Sequence, residues 1–225
     1  MIDEDVLDLK VGNVLFLEEF WCSGDLPCAD LPQYDDEMHY HFGSGSIIDG
    51  LESEIYKLHL LHSNAIVDDK HLVIGNGATQ LISAALYALD SKKVFVNPPY
   101  WPRFKILVDL LDSTENTSKL SEADTEIIVM PNNPDGAFDN HCYEDGKKYI
   151  HDLCYNWESY VQPRCYDESI MLFGLAKSSG HAGTRVGWAW VEDKEVAEKM
   201  QHYVELTTYG VSADAQQKAL ISESL

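Results

Sequence analysis

A lysine in this chain stands between an apolar stretch and a run of small residues, a poor place for a surface cation. Lys177 follows the predicted strand at residues 170–173, and Arg185 comes eight residues later, directly before another apolar stretch. A lysine amine that is removed from water has a lowered pKa and acts as a nucleophile. An arginine can hold a phosphate through two parallel hydrogen bonds. We therefore expect a nucleophilic amine at Lys177 and an anion-binding group at Arg185.

A second candidate is the turn at residues 75–80, which contains two glycines and lies between a predicted strand and a predicted helix. Glycines let the backbone approach a ligand, and the first turn of a helix offers free N–H groups with partial positive charge. Thr79 adds a hydroxyl donor, so the turn suits a phosphate. Taken alone, however, the two glycines are more typical of tight packing between a strand and a helix.

Two further polar residues lie near the ends of predicted strands. Asp152 lies in an apolar stretch, where a carboxylate costs free energy unless it is paired. A protonated ligand nitrogen is one such partner, and backbone amides at the strand end are the alternative. In the turn at residues 131–136, an asparagine amide could face a ring oxygen of a ligand. The alternative is a plain polar turn, which Asn-Pro and Asp-Gly pairs also favour.

The elements that must position these residues are short apolar strands that alternate with helical patterns. Because of this alternation, we expect an α/β fold with a mainly parallel sheet. Ligands of such sheets bind beyond the carboxyl ends of the strands, where the candidate residues lie. We predict strands at 72–74, 94–96, 127–130, 170–173 and 186–191, helices at 51–61, 78–89, 101–111, 144–150 and 193–206, a strand or extended stretch near 151–155 and a polar loop at 112–124.

The composition argues against several classes of partner. The 225 residues include 16 Lys and Arg against 38 Asp and Glu, a net charge of −22. Such a chain lacks the clustered cations that bind nucleic acid or anionic lipid, so we expect neither nucleic acid nor membrane as a partner. Since 45% of the residues are hydrophobic, the chain can build a core, and its acidity is interpreted as a solvated surface.

The N-terminus and the cysteines indicate a cytoplasmic protein. The first residues lack the pattern of a secretory signal, and no apolar run reaches the roughly 18 residues of a membrane-spanning helix. An odd number of scattered cysteines favours free thiols and gives a zinc site little support, so we expect no metal. A disulfide between Cys22 and Cys28 is the alternative for that pair. The cysteines are Cys22, Cys28, Cys142, Cys154 and Cys165.

Four ordered segments resemble the fold-type-I pyridoxal 5'-phosphate (PLP) enzymes, the aspartate aminotransferase superfamily. The closer similarity is to the family of alliinase and the plant tryptophan aminotransferase-related proteins. The segments are residues 74–81 (IGNGATQL), 98–104 (PPYWPRF), 131–136 (PNNPDG) and 177–189 (KSSGHAGTRVGWA). This resemblance implies a three-layer αβα, PLP-transferase-like large domain at residues 46–225. It also implies an N-terminal arm or part of the small domain at residues 1–45, with the C-terminal small domain largely missing.

The resemblance further implies PLP as cofactor and a role for each candidate residue. Lys177 would form the Schiff base with PLP and then move the Cα proton as general acid and base. Asp152 would pair with the protonated ring nitrogen, and Tyr155 and Asn133 would hydrogen-bond the phenolic oxygen. The phosphate would be held by Gly77, Ala78, Thr79 and Arg185. The ring would stack on Trp101, with Tyr100 as the alternative aromatic and plain core packing as the third possibility.

The chain also departs from the superfamily pattern. Ala176 stands where a serine often donates to the phosphate, so we expect weaker cofactor binding. The substrate carboxylate is usually bound by an arginine of the C-terminal small domain, and neither Arg103 nor Arg164 takes that role by its motif. Gly12-Asn13-Val14 matches the usual pocket-lining stretch poorly.

The activity implied by the resemblance is amino-group transfer from an L-amino acid, for example an aromatic one such as tryptophan, to a 2-oxo acid. An alliinase-type carbon–sulfur lyase and a truncated paralogue without turnover are the alternatives. The lack of the cysteine-rich N-terminal module of alliinases favours transamination. Because sites of this superfamily are built across a dimer interface, we expect a homodimer, in which the partner could contribute a tyrosine resembling Tyr40.

Overall fold

The structure is a computed structural model that describes residues 46–111, 114–138 and 143–223. The N-terminal arm predicted at residues 1–45 lies outside the described residues. So do Tyr40, the stretch Gly12-Asn13-Val14, Cys142 and the alternative disulfide between Cys22 and Cys28. Both cysteines that are described, Cys154 and Cys165, are free thiols.

Within the described residues, seven strands form one sheet, in the order β1-β7-β6-β5-β4-β2-β3. Strand β7 runs antiparallel to its neighbours β1 and β6, and the other neighbouring strands pair in parallel. The prediction of a mainly parallel sheet is therefore confirmed. The strands are β1 (His71–Gly75), β2 (Lys93–Val96), β3 (Glu115–Asn116), β4 (Thr125–Val129), β5 (Lys148–Asp152), β6 (Ile170–Gly174) and β7 (Gly187–Val191).

Helices cover both faces of this sheet, so the three-layer αβα architecture is confirmed. One hydrophobic cluster joins one face of the sheet to α2, α3 and α5, and a second cluster joins the opposite face to α1 and α6. The helices are α1 (Leu51–His62), α2 (Ala78–Ala88), α3 (Arg103–Asp109), α4 (Leu175–Ser178), α5 (Lys194–Thr208) and α6 (Ala213–Glu223).

The predicted helix at residues 144–150 is wrong, because strand β5 begins at Lys148 and a turn precedes it. Ile150 packs into one hydrophobic cluster and Tyr149 against the other. This burial on alternate faces is typical of a strand between two layers. The predicted extended stretch at 151–155 leaves the sheet after Asp152. The predicted polar loop at 112–124 contains the short strand β3 and a 3₁₀ turn at Leu120–Glu122.

Helix α6 is absent from the sequence prediction, because the apolar part of its buried side is short: only Ala215, Ala219 and Leu220 pack into the second cluster. Gln216, Gln217 and Ala219 are its buried residues. The amide of Gln216 donates to the carbonyl of Ser46 over 2.9 Å and accepts from the N–H of Ile48 over 3.0 Å. These hydrogen bonds join Gln216 to partners that lie 170 and 168 positions earlier in the sequence. A local hydrophobicity pattern cannot reveal contacts of this kind.

Candidate active site

One cavity of about 570 Å³ opens at the edge of the sheet where β1, β4, β5 and β6 end. Of the residues predicted for a cofactor site, all except Tyr100 line it. Both aromatics pack against the cluster on the α2 face, but only Trp101 also lines the cavity, which favours Trp101 over Tyr100. The predicted residues in the lining are Gly77, Ala78, Thr79, Trp101, Asn133, Asp152, Tyr155, Lys177 and Arg185.

Lys177 reaches the cavity because β6 ends at Gly174 and the one-turn helix α4 follows at once. The half-buried amine Nζ lies 5.0 Å from the centroid of the Tyr155 ring. Burial lowers the pKa of this amine, and the positive charge of Arg185 lowers it further, while Cys154 and Asp152 act in the opposite direction. A larger share of the amine is therefore uncharged near neutral pH than for a solvated lysine.

Asp152 is the last residue of β5, and its side chain is buried at the floor of the cavity. Its Oδ1 accepts a hydrogen bond from the N–H of Cys154 over 3.1 Å. Burial raises the pKa of this carboxyl, and contacts with Cys154 and the charge of Lys177 oppose the rise. Within residues 46–111, 114–138 and 143–223, Asp152 forms no ion pair with a lysine or arginine. A cationic N–H brought into the cavity would supply the partner that a buried carboxylate requires.

Tyr155 and Asn133 form the polar wall beside Asp152. The amide Nδ2 of Asn133, in the turn after β4, donates to the hydroxyl of Tyr155 over 3.2 Å. Burial raises the pKa of Tyr155 to about 12, and the negative charge of Asp152 adds to the rise. The Tyr155 hydroxyl therefore stays protonated at neutral pH and can donate a hydrogen bond to an oxygen in the cavity.

The opposite wall is a narrow cradle between Gly77 and Arg185. A Cβ atom at Gly77, whose φ is 78°, would overlap the guanidinium of Arg185. A Cβ atom at Gly187, the first residue of β7, would overlap the backbone of Gly77 and Ala78. Helix α2 begins at Ala78 and has no side-chain cap, so no capping side chain occupies its first N–H groups, and the Arg185 guanidinium lies beside Gly77 at the start of the helix. These donors suit a phosphate.

Sequence reasoning assigned no role to several residues of the site. Cys154 lines the cavity next to Asp152, and burial raises the pKa of its thiol well above the usual range. Arg103 also contributes to the lining, although its motif gave no reason to expect this. Ala176 lines the cavity without a hydroxyl group, as the sequence indicates. Cys154 and Arg103 both lie within segments that the sequence singles out, so only their orientation was missing.

Comparison with known proteins identifies the family. The family model Alliinase_C, described as Allinase, matches residues 7–222. The chain belongs to the alliinase family. It is 36% identical to tryptophan aminotransferase-related protein 1 of Oryza sativa subsp. japonica, with 96% of the chain and 53% of that protein aligned.

Other alliinase-family relatives align over a similar share of their length. Identity is 38% to tryptophan aminotransferase-related protein 3 of Arabidopsis thaliana, over 95% of the chain and 52% of that protein. Identity is 33% to the alliin lyase of Allium cepa var. aggregatum, over 95% of the chain and 53% of that protein. The chain thus spans about half the length of the curated relatives it matches.

Solved structures with the same fold include aminotransferases. The aspartate aminotransferase of Thermotoga maritima is 21% identical and has a TM-score of 0.65, with 99% of this chain and 68% of that chain covered. The alanine aminotransferase of Pyrococcus furiosus is 17% identical and has a TM-score of 0.65, with 84% of this chain and 58% of that chain covered. At this identity the similarity concerns the fold, and it confirms the PLP-transferase architecture.

PLP is the cofactor of the alliinase family and of aminotransferases with this fold, which confirms the cofactor prediction. The residues around the cavity fit PLP. The amine with a lowered pKa suits the aldehyde of PLP. The buried carboxyl, which forms no ion pair among the described residues, suits the ring nitrogen, and the glycine cradle beside an arginine suits the phosphate. The role of each residue remains a prediction.

No helix in the described part of the chain is long and apolar enough to cross a membrane. The same residues contain no group of three or more His, Cys, Asp or Glu side chains arranged to hold a metal ion.

Proposed function

We propose that this protein is a PLP-dependent aminotransferase that moves an amino group from an L-amino acid to a 2-oxo acid. One observation carries the proposal: the Lys177 amine and the buried Asp152 carboxyl share a cavity with the phosphate cradle. Relatives named tryptophan aminotransferase-related proteins support transamination and make tryptophan the first amino acid to test.

The chemistry divides among the residues on the cavity walls. PLP, when bound, withdraws electrons from the Cα of the amino acid attached to it. Asp152 holds a proton on the ring nitrogen, which strengthens that withdrawal. Tyr155 and Asn133 orient the phenolic oxygen, while Gly77 and Arg185 hold the phosphate.

Lys177 has two tasks in this proposal. Its Nζ holds the cofactor covalently before the substrate arrives, and the released amine then moves the proton at Cα of the amino acid. Both tasks require an uncharged amine, and burial lowers the pKa of Lys177 in that direction. The Tyr155 ring has its centroid 5.0 Å from the amine and shields the amine from bulk water on that side.

A carbon–sulfur lyase is the second candidate, favoured by the 33% identity to alliin lyase. The same residues would serve both reactions. In the lyase reaction the electron pair released at Cα expels a sulfur group from the β-carbon, whereas in transamination a proton moves and the amino group is retained by the cofactor.

The decisive experiment tests the covalent link to Lys177. The purified protein is mixed with PLP, reduced with borohydride, digested and analysed by mass spectrometry. We expect the added mass on Lys177, its loss in Lys177→Ala and its retention in the control Lys199→Ala, which removes an exposed lysine of α5. A wild type without this modification would contradict the proposal.

Product analysis then separates the two reactions. Tryptophan with a 2-oxo acid should yield the matching new 2-oxo acid, and an S-alkyl-cysteine sulfoxide should release no pyruvate. Pyruvate release without amino transfer would favour the lyase. The homodimer, the cytoplasmic compartment and the division at residue 45 remain predictions.

A further inference from the structure

We propose that Gln80 and Asn76 are positioning residues for the phosphate cradle, acting by tying its turn to the C-terminal end of α5. They are distinct from the residues that would touch the phosphate, since neither lines the cavity. The inference rests on the proposed function in one respect: it takes PLP as the ligand whose phosphate is bound in the cradle. Its geometry is independent of which reaction follows.

The first part of the tie lies within the turn. The backbone N–H of Asn76 donates to Oε1 of Gln80 over 2.7 Å, and the side-chain amide of Asn76 donates to the same oxygen over 3.1 Å. Gln80 belongs to the first turn of α2, so its side chain folds back over the residues that precede the helix. One carbonyl oxygen therefore fixes both the backbone and the side chain of Asn76.

The second part joins the turn to α5. The amide of Gln80 donates to the hydroxyls of Thr207 and Thr208 over 2.8 and 3.1 Å. The amide of Asn76 donates to the hydroxyl of Thr208 over 2.8 Å and to the carbonyl of Gly210 over 3.0 Å. Partners 127 to 134 residues away in sequence thus hold the two side chains in place.

The tie reaches the cradle through the backbone of Asn76. While the N–H of Asn76 is bound to Gln80, its carbonyl accepts from Nη2 of Arg185 over 3.5 Å. Gly75 and Gly77 flank Asn76, and glycines allow rotations that other residues resist. Without the Gln80 contacts, this peptide could turn. The Arg185 guanidinium would then keep its contact with the Ala182 carbonyl over 3.1 Å but lose the one with Asn76, and the turn that leads into α2 would be less fixed.

The inference predicts a selective loss of phosphate recognition. Thr207 and Thr208 are exposed and Gln80 is half-buried, so removing their hydrogen bonds should change the geometry of the turn more than the stability of the fold. Pyridoxal, which lacks the phosphate, should bind equally well to wild type and variants. A residue that merely supports the fold would affect PLP and pyridoxal alike.

The test is the ratio of PLP to pyridoxal affinity in Gln80→Met, measured by fluorescence titration. We expect PLP binding to weaken about five- to tenfold, the value of one or two net hydrogen bonds, with pyridoxal binding unchanged. Gln201→Met is the matched control, because Gln201 is a half-buried glutamine on α5 that contacts Glu205 over 3.4 Å. Equal effects on both ligands, or no effect on either, would overturn the inference.

A second variant covers the case in which Gln80→Met does not fold. Thr207→Val combined with Thr208→Val removes the partners on α5 and leaves the turn itself intact, and it should lower the same ratio.

Binding of inorganic phosphate, followed by ³¹P NMR, separates this inference from the proposed function. If the wild type forms no link to Lys177 but binds phosphate more tightly than the variants, only the proposed function fails. Phosphate binding that is absent from the wild type or unchanged in the variants overturns the inference.

Discussion

The amine of Lys177 lies 5.0 Å from the centroid of the Tyr155 ring, so a residue three positions after the end of β6 contacts a residue three positions after the end of β5 within one cavity. The contact follows from the pairing of these two parallel strands, in which Asp152 is opposite Leu172. The ring face attracts the amine when it is charged and shields it from water on that side. The ring of Tyr155 therefore bounds the space beside the Lys177 amine, whereas its hydroxyl accepts from Asn133.

Tyr155→Phe separates these two contributions, because it keeps the ring and removes the hydroxyl that accepts from Asn133. We expect PLP to attach to Lys177 still, with an affinity about fivefold lower for the lost hydrogen bond. The pH midpoint of the absorbance band of bound PLP should rise, because a donor at the phenolic oxygen favours its ionised form. Absorbance titration measures both quantities. Tyr87→Phe, at an exposed tyrosine of α2, is the control, and an unchanged midpoint would contradict the role of Tyr155.

Asp152→Asn should weaken PLP binding and stabilise the protein without cofactor. Burial raises the pKa of Asp152, so the folded state binds a proton more tightly than the unfolded state. Stability is therefore lost as pH rises through the interval between the ordinary and the raised pKa of this carboxyl. At neutral pH the buried charge lowers the free energy of unfolding. Asparagine retains an acceptor for Cys154 without the charge. We expect a gain of about 1 kcal/mol in unfolding free energy.

Thermal melting of the cofactor-free protein near neutral pH and at progressively lower pH checks the sign. The advantage of Asp152→Asn should shrink as the pH falls, because protonation also removes the charge from the wild-type side chain. Asp145→Asn, at an exposed position, should show no such trend. A variant that is less stable at neutral pH would show that the Asp152 charge is already compensated.

His59 should make the protein sensitive to acid. This buried histidine accepts from Nε1 of Trp188 over 2.9 Å, and its Nδ1 lies 2.7 Å from Oδ1 of Asn64. Burial lowers its pKa to about 4. Because Nε2 faces an N–H donor, protonation there would break that contact. The unfolded chain takes up the proton first, so stability is constant above about pH 6.5 and is lost as pH falls from there towards about 4.

Urea unfolding at about pH 7 and about pH 5 measures this loss, and we expect a decrease of about 2 kcal/mol from His59. His59→Gln does not titrate and can still donate to Asn64 and accept from Trp188, so its stability should depend less on pH. His202→Gln, at an exposed position of α5, should keep the wild-type slope. Equal slopes in all three proteins would assign the acid sensitivity to other groups.

Much of the site could be predicted from the sequence because its residues come directly after strands. Lys177 and Asp152 each belong to a short segment whose apolar part predicts a buried strand, and parallel strands bring such segments to one edge. The helix predicted at residues 144–150 is wrong for the opposite reason. Lys148 is charged and follows a polar turn, so no apolar stretch marks the start of β5, which forms because β4 offers a parallel partner along its whole length.

The α/β class, the order of the four segments and the choice of Lys177 as the candidate nucleophile could all be read from the sequence, since they depend on local pattern. The structure was needed to show that Trp101 and not Tyr100 lines the cavity, and that Gln80 and Asn76 are hydrogen-bonded to the end of α5. Both outcomes depend on contacts between residues distant in the chain. The direction of a side chain depends on which element packs beside it, and a linear pattern does not contain that information.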